Sequence, residues 1–319
     1  MPKHKAMGLS NRPTQSALQV RWLNRFPRFT SEYVWVLPLL LILLLVNIFP
    51  LAYSFYLSLQ RWNLISNVRE FIGLKNFIYL LTSDFFYEVV RTTLTYTGSS
   101  VTVQLILGFI LALAVNTALE RELPFIGSLR VMLTIPMTIS PLLAGFYFKL
   151  LYSPQFGAIN QILRTFGLPE PLWAHDPKLA LMSLVIADTW LWLPFVFTLL
   201  LGGLRTFPKD VLEAAAIDGA NRLQVLRYVT IPMMMPIILV VMLMRTIDSI
   251  KYLDLIYIIT RGGPGAATEI LAFYTYRTGF NDFEMGLSSA IAYLELICIL
   301  ALVIGLLRIT SRSGSNVGD

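Results

Sequence analysis

Cysteine is almost missing from this 319-residue chain. Cys298, inside an apolar block, is the single one, so neither a disulfide framework nor a thiolate metal site can form within the chain. Histidine is nearly as scarce: His4 and His175 are the two present, far apart in sequence, which leaves Cys/His catalysis without its parts. Charge is sparse as well. Asp, Glu, Lys and Arg make up 14% of residues, where a soluble domain has about 25%. The phosphate-cradling pattern G-x-x-x-x-G-K-[ST] does not occur, which excludes an ATPase site of that type in the chain. Nor is there a metal-ligand cluster, a paired acidic motif or a nucleophile with its base, so the sequence does not read as an enzyme.

What fills the space is apolar: 56% of residues are hydrophobic, and they come in long blocks. A helix crosses about 30 Å of hydrocarbon with roughly 20 residues. Six stretches qualify, near 34–59, 91–117, 127–151, 179–204, 232–258 and 286–307. The expected fold is therefore all-α and polytopic, with six transmembrane helices. The first stretch is too long for the core of a signal peptide and reads as a retained anchor. The division is a tail at 1–33, a membrane domain at 34–310 and a second tail at 311–319. Fourteen Lys and Arg fall in the N-terminal tail, the 118–130 loop, the 205–231 loop and the C-terminal end, against seven in the alternate loops. Basic loops stay inside, so both termini and the 205–231 loop are expected in the cytoplasm. The basic tail fits contact with anionic lipid, with no role for nucleic acid. The second stretch, RTTLTYTGSSVTVQ from Arg91 to Gln104, is rich in hydroxyls and small residues and is expected to face other helices.

Between the fourth and fifth stretches lies EAAAIDGANRLQVLRYVTIP, from Glu213 to Pro232. Thr206 and Pro208 suit a helix start, and Asp210 and Glu213 suit the positive end of its dipole. Gly219 suits a left-handed helix end, and Asn221 opens a second helix running toward Pro232. This loop resembles the EAA coupling loop of ABC importer permeases, with Glu213, Ala214, Ala215, Asp218, Gly219, Ala220 and Pro232 all matching. The resemblance implies a type I permease fold whose coupling helix inserts into a separate ATPase. A second stretch, TRGGPGAATEIL from Thr260 to Leu271 with Tyr276 and Phe280 after it, resembles the T-x-G-G-P signature of carbohydrate permeases of the maltose and glycerol-phosphate type. PMTISPLLAGFYFKLLYSPQFGAIN and WLWLPF agree with it.

Charged residues within a membrane are costly and hence functional candidates. Asp188, Trp192 and Phe195 fall at i, i+4 and i+7 on one helix face. A carboxylate beside aromatic rings suits a sugar, and Pro194 can kink the helix. No basic residue lies between Lys178 and Arg205 to compensate Asp188 within its helix. Asp248, Ser249 and Tyr252 share a face by similar spacing. Alternatively Arg245, Asp248, Lys251 and Asp254, alternating in sign every three residues, neutralise one another or a neighbouring helix. Aligned on Glu213 and Pro232, the sugar-contacting positions of the maltose-type subunit correspond to Asp188, Leu191, Trp192, Phe195, Asp248, Ser249 and Tyr252. The resemblance thus implies a MalF- or UgpA-like subunit of a sugar or polyol importer in a bacterial or archaeal cytoplasmic membrane, working by alternating access. Its implied partners are a MalG- or UgpE-like second permease, an ATPase dimer carrying ATP and Mg, and a periplasmic or lipid-anchored solute-binding protein. No cofactor is expected in this chain. A glycerol-3-phosphate importer and an ion-driven secondary transporter are the alternatives.

Overall fold

The computed structural model of the protein describes residues 29–314, so the basic N-terminal tail up to Arg28 and the last five residues lie outside the described residues. Two compact units divide after Ser54. In the first, α1 (Phe29–Leu43) passes through a π turn at Leu44–Ile48 into α2 (Phe49–Ser58). Its apolar side chains from Val36 to Phe49 are exposed all around, as in a helix made for hydrocarbon.

The second unit begins within α2. A short hairpin follows, β1 (Gln60–Trp62) antiparallel to β2 (Arg69–Phe71), then α3 (Lys75–Leu81). The hairpin turn is held by Asn63 Oδ1, which accepts from the Ile65 and Ser66 amides. Next comes α4 (Asp84–Glu120), 37 residues long, with Ser83 capping its N-terminus and Asp84 in its first turn. Thr93, Tyr96, Thr97, Ser100, Gln104, Gly108 and Ala112 form one buried stripe, so the hydroxyl-rich face does point into the bundle.

The third expected span is not one straight helix. α5 (Ile126–Thr134) continues through a 3-10 turn at Ile135–Thr138, and α6 (Pro141–Leu151) departs at 96°. Pro141 has no N–H to continue a helix and forces Ser140 before it into extended backbone (ψ 135°), so the chain turns there. α7 (Ala158–Thr165) is amphipathic and short. α8 (Ala180–Arg205) is the central helix, packed against α4, α6 and α11 (Ile231–Ile250). Before α11 lie α9 (Lys209–Ile217), α10 (Arg222–Val225) and a π turn at Leu226–Thr230. After it come α12 (Asp254–Ile259), α13 (Leu271–Tyr276), a π turn at Arg277–Asn281 and α14 (Met285–Gly314). Among the described residues, five helices are long and apolar enough to cross a membrane, or six if the bent α5–α6 pair is counted as one span.

Small residues let these helices approach closely. A Cβ on Gly108 of α4 would stand 2.8 Å from Val196 of α8, and one on Gly203 of α8 would stand 2.5 Å from Ile237 of α11. One apolar cluster, with Val196, Phe197, Leu200, Leu201, Met234 and Val241, seals the half of the bundle nearer α9. A second, with Tyr96, Phe148, Tyr152, Leu184, Leu191, Tyr252 and Leu255, fills the other half.

Candidate functional site in the membrane bundle and its hairpin

Where α4, α8 and α11 meet, the wholly buried side chains of Gln104, Asp188 and Arg245 bond to one another. Gln104 Nε2 donates to Asp188 Oδ2 at 2.8 Å, and Arg245 Nε donates to Gln104 Oε1 at 2.8 Å. Arg245 Nη2 reaches both carboxylate oxygens of Asp188 at 3.3 Å. Each helix contributes one member. The charge that α8 leaves uncompensated is therefore cancelled from α11, 57 residues away. Removing a buried ion from water costs several kcal/mol, and this knot of hydrogen bonds offsets it.

Around the knot stand groups able to meet a polar ligand. The Arg245 guanidinium lies 4.8 Å from the Trp192 ring centre. Trp192 is edge-on to Tyr252 at 6.3 Å and to Phe195 at 6.1 Å. Arg245 Nη1 and Ser249 Oγ are buried and meet no hydrogen-bond partner within the chain, whereas the Tyr96 hydroxyl has Ser100 beside it and the Tyr252 hydroxyl has Trp192. Of the residues expected to line a sugar site, Asp188, Trp192, Phe195 and Tyr252 are thus brought together, with buried Ser249 one turn beyond Arg245. Leu191 is buried in the same apolar cluster as Tyr96 and Tyr252, with Trp192 packed against it. Asp248 stands apart: it is about 38% exposed and pairs with Lys251 at 3.6 Å, because the residue next to a buried one on a helix points about 100° away. The charge alternation along α11 is therefore resolved in two ways, Asp248 with Lys251 on its own helix and Arg245 with a neighbour.

Gln104 and Tyr96 were not singled out from sequence, and Arg245 was named there only as a charge neutralising its own or a neighbouring helix. Their signal was present: Tyr96, Ser100 and Gln104 recur every four residues on the hydroxyl-rich span, and Arg245 is a full charge inside an apolar run. A further unforeseen group is Glu295 of α14, 8% exposed, which accepts a long 3.5 Å bond from Thr275.

At one end of the bundle, α9 and α10 form a hairpin. Gly219 has φ +76°, which an L-residue adopts only at a cost. Asp218 N donates to Ala214 O and Ala220 N to Ala215 O, closing the helix end. Asn221 and Gln224 make a reciprocal capping box that starts α10. One sequence expectation is corrected here. Thr206 does not open α9. Its hydroxyl and its amide both donate to Gly203 O, so it ends α8. Pro232 lies in the first turn of α11, into which the wide turn at Leu226–Thr230 leads. Glu213, Ala214, Asp218, Gly219 and Pro232 are exposed, and Ala215 and Ala220 are partly so. The same hairpin exposes Ile217 at 87%, Leu223 at 72% and Tyr228 at 70%. Behind it lies a cavity of about 540 Å³ lined by Asn116, Thr117, Glu120, Phe207, Ala220 and Arg222, among others.

The Gly-Gly-Pro stretch lies toward the other end of the bundle. Arg261, Gly262 and Gly265 all have positive φ, and a Cβ on Gly262 would stand 2.7 Å from Phe273. Thr268 Oγ1 donates to Gly263 O, Glu269 pairs with Arg277 at 2.7 Å, and Thr93 Oγ1 of α4 accepts from the Leu271 amide. Burial pushes the Glu269 carboxyl above its ordinary range, against the pull of Arg277. Tyr276 stacks on Phe280 at 5.3 Å.

Residues 15–313 match the family described as the binding-protein-dependent transport system inner membrane component. The chain belongs to this family. It is 36% identical over 298 residues to a probable ABC transporter permease protein, y4oQ, of Sinorhizobium fredii, with 93% of this chain and 94% of that one covered. It is 34% identical to the trehalose/maltose transport system permease protein MalF of Thermococcus litoralis, covering 87% and 92%. It is 33% identical to the trehalose transport system permease protein SugA of Mycobacterium tuberculosis, covering 90% of each. Among solved structures, a bacterial ABC transporter that imports alginate superposes with a TM-score of 0.76 at 20% identity, over 93% of this chain and 98% of that one. The MetNI methionine ABC transporter superposes with a TM-score of 0.56 at 14% identity, over 75% and 98%. These permeases fix the fold of the chain as that of an ABC transporter membrane component, and the ion-driven alternative gains nothing from them.

Proposed function

We propose that the chain is one of two permease subunits of an ATP-driven importer, and that it carries a sugar across the cytoplasmic membrane by alternating access. The observation that carries this reading is the joining of two features by the same pair of helices. α8 and α11 hold the buried cluster around Asp188, Trp192, Ser249 and Tyr252, and the α9–α10 hairpin connects them. A push on the hairpin is delivered to both walls of the cluster. The exposed Ile217, Leu223 and Tyr228 give the hairpin an apolar surface suited to a protein partner, with Glu213 and Asp218 beside it. In this reading the partner is the ATPase, the hairpin and both termini are cytoplasmic, and a solute-binding protein delivers substrate near the Gly-Gly-Pro loop. Relatives named for trehalose and maltose support a di- or oligosaccharide as cargo. The site residues are Trp192, Phe195, Ser249 and Tyr252, with Asp188 acting through Arg245 instead of meeting substrate alone; Leu191 and Asp248 lie at its margin.

The test is purification of the tagged chain from its native membrane and reconstitution with the proteins that accompany it. Co-isolation of a second permease and an ATPase, with ATP hydrolysis stimulated by a sugar-loaded binding protein, is the expected result. Uptake by this chain alone, driven by an ion gradient, would refute the proposal.

A further inference from the structure

We propose that the cavity behind the α9–α10 hairpin is a headgroup site for an acidic phospholipid of the membrane that the bundle crosses. The cavity, of about 540 Å³, is walled by the last turns of α4 and α8 and by the hairpin. Along α4 its wall changes from Leu113, through Asn116 and Thr117, to Glu120 and Arg121. That is a passage from hydrocarbon to charge within about 12 Å. Leu204, Leu212 and Leu226 extend the apolar wall, and Arg222 of α10 adds a second cation. Three spans give out around it: α4 ends at Glu120, α8 at Arg205, and α11 begins at Ile231. The cavity therefore lies at the level of the headgroups, just beyond the hydrocarbon. A wall graded in this way fits an amphiphile. A free anion would gain from the arginines but has no use for the leucines.

The charges select the headgroup. Arg121 and Arg222 are exposed, and neither makes an ion pair among the described residues. Glu120 is the one acid of the lining, and Asn116 Nδ2 already donates to it at 2.8 Å. The balance is positive and favours a phosphate, which a guanidinium grips through paired N–H groups. Basic pockets at the ends of membrane helices bind acidic headgroups for this reason. Glu120, Asn116 and Thr117 suit the hydroxyls of a glycerol headgroup, which donate hydrogen bonds, better than choline, which cannot. The cavity is also separate from the surface proposed for the ATPase. A hollow on the outer side of the hairpin is lined by Asp218, Gly219, Tyr228 and Val229, among others, and Ala220 is the residue common to both. Lipid and partner thus meet different faces of one hairpin, and the headgroup helps to set where that hairpin rests.

The experiment uses the tagged chain, purified with the proteins that accompany it and offered phosphatidylglycerol that carries a photoactivatable diazirine in its headgroup. Crosslinked peptides from 113–121 and 204–226 are quantified against unlabelled competitors. Phosphatidylglycerol is expected to compete about tenfold more strongly than phosphatidylcholine of the same chains. Arg121→Gln and Arg222→Gln should each weaken binding by about fivefold, and together by about twenty-five-fold, the loss of one membrane-facing cation apiece. Thr117→Trp fills the cavity, leaves both arginines in place and should abolish the crosslink; where it does not elute intact, Val225→Trp takes its place. Equal competition by phosphatidylcholine overturns the proposal. So does a loss in the double arginine variant with none in the cavity-filling one, which is attraction to surface charge alone. Displacement by millimolar inorganic phosphate as complete as by the lipid makes this a free-anion site and overturns the lipid assignment. Crosslinks confined to other peptides overturn the location. The assay asks nothing of cargo or ATP, so its failure is separate from failure of the importer reading.

Discussion

Truncating one member of the buried knot should be far more damaging than removing its charges together. Asp188→Ala deletes the acceptor of three contacts: one from Gln104 at 2.8 Å and two from Arg245 at 3.3 Å. What remains is a guanidinium at zero exposure holding a single bond, to Gln104 Oε1. Leaving a buried charge unpaired costs about 3–5 kcal/mol, whereas replacing the whole pair by apolar residues of similar volume is often neutral. The single changes Asp188→Ala and Arg245→Met are thus each expected to cost about 3–5 kcal/mol, and Asp188→Leu/Arg245→Met about 1 kcal/mol or less. The assay is unfolding of the purified complex in mixed micelles by titrated SDS, read as a double-mutant cycle. A coupling energy near zero, with Asp188→Ala costing no more than a surface substitution, would refute the pairing itself.

The remaining predictions concern other parts of the chain. Gly219→Val places a β-branched residue at φ +76°, a cost of roughly 1–3 kcal/mol in the hairpin, and Glu213→Lys reverses an exposed charge; both should abolish uptake while the protein still inserts, and normal uptake in both would remove the hairpin from the mechanism. In a Cys298→Ala background, Asn221→Cys should be labelled only from the cytoplasm and Gln155→Cys only from outside by an impermeant thiol reagent; the opposite pattern inverts the proposed topology. The hydrogen bond from Arg164, at 2.6 Å, lowers the Glu170 carboxyl below its ordinary range. A depressed carboxyl stabilises above its unfolded value near 4.5, and that contribution is lost as pH falls through the lowered one. Proteolysis of the 158–172 segment should therefore rise in that acid window, flatten in Glu170→Gln, and lose its pH dependence at about 1 M salt, where exposed pairs are screened.

How far the sequence carried depended on whether a feature was local. The long apolar blocks, the buried stripe of α4, the left-handed Gly219 and the Asn221 cap all follow from spacing and residue type within one helix or turn, and each was legible. The fate of Asp188 was not. Its partner Arg245 lies across a hairpin on another helix, and the bridging Gln104 is 84 residues upstream, so no window of sequence contains the knot. Asp248 and Ser249 show the same limit on a smaller scale. Adjacent residues were assigned one face, yet the helix turns one inward and the other out. The break between α5 and α6 was foreshadowed by Pro136 and Pro141, but hydropathy alone runs straight through both. Thr206 was misplaced by one helix because a hydroxyl before a proline suits a helix start, while the same hydroxyl also reaches the last carbonyls of the helix behind it.

α4 is much longer than a bilayer requires. Its 37 residues span about 55 Å at 1.5 Å each, nearly twice the hydrocarbon thickness. Unlike α1, α8 and α11, it carries no proline at which to flex. Near one end Thr93 grips the Leu271 amide beside the Gly-Gly-Pro loop, and near the other Asn116, Thr117 and Glu120 wall the cavity behind the hairpin. Such a rod acts as a strut between the two mouths of the permease. In the proposed importer, movement of the hairpin against its lower end would be relayed as displacement of the far loop, gearing the face proposed for a binding protein to the face proposed for an ATPase through a single helix.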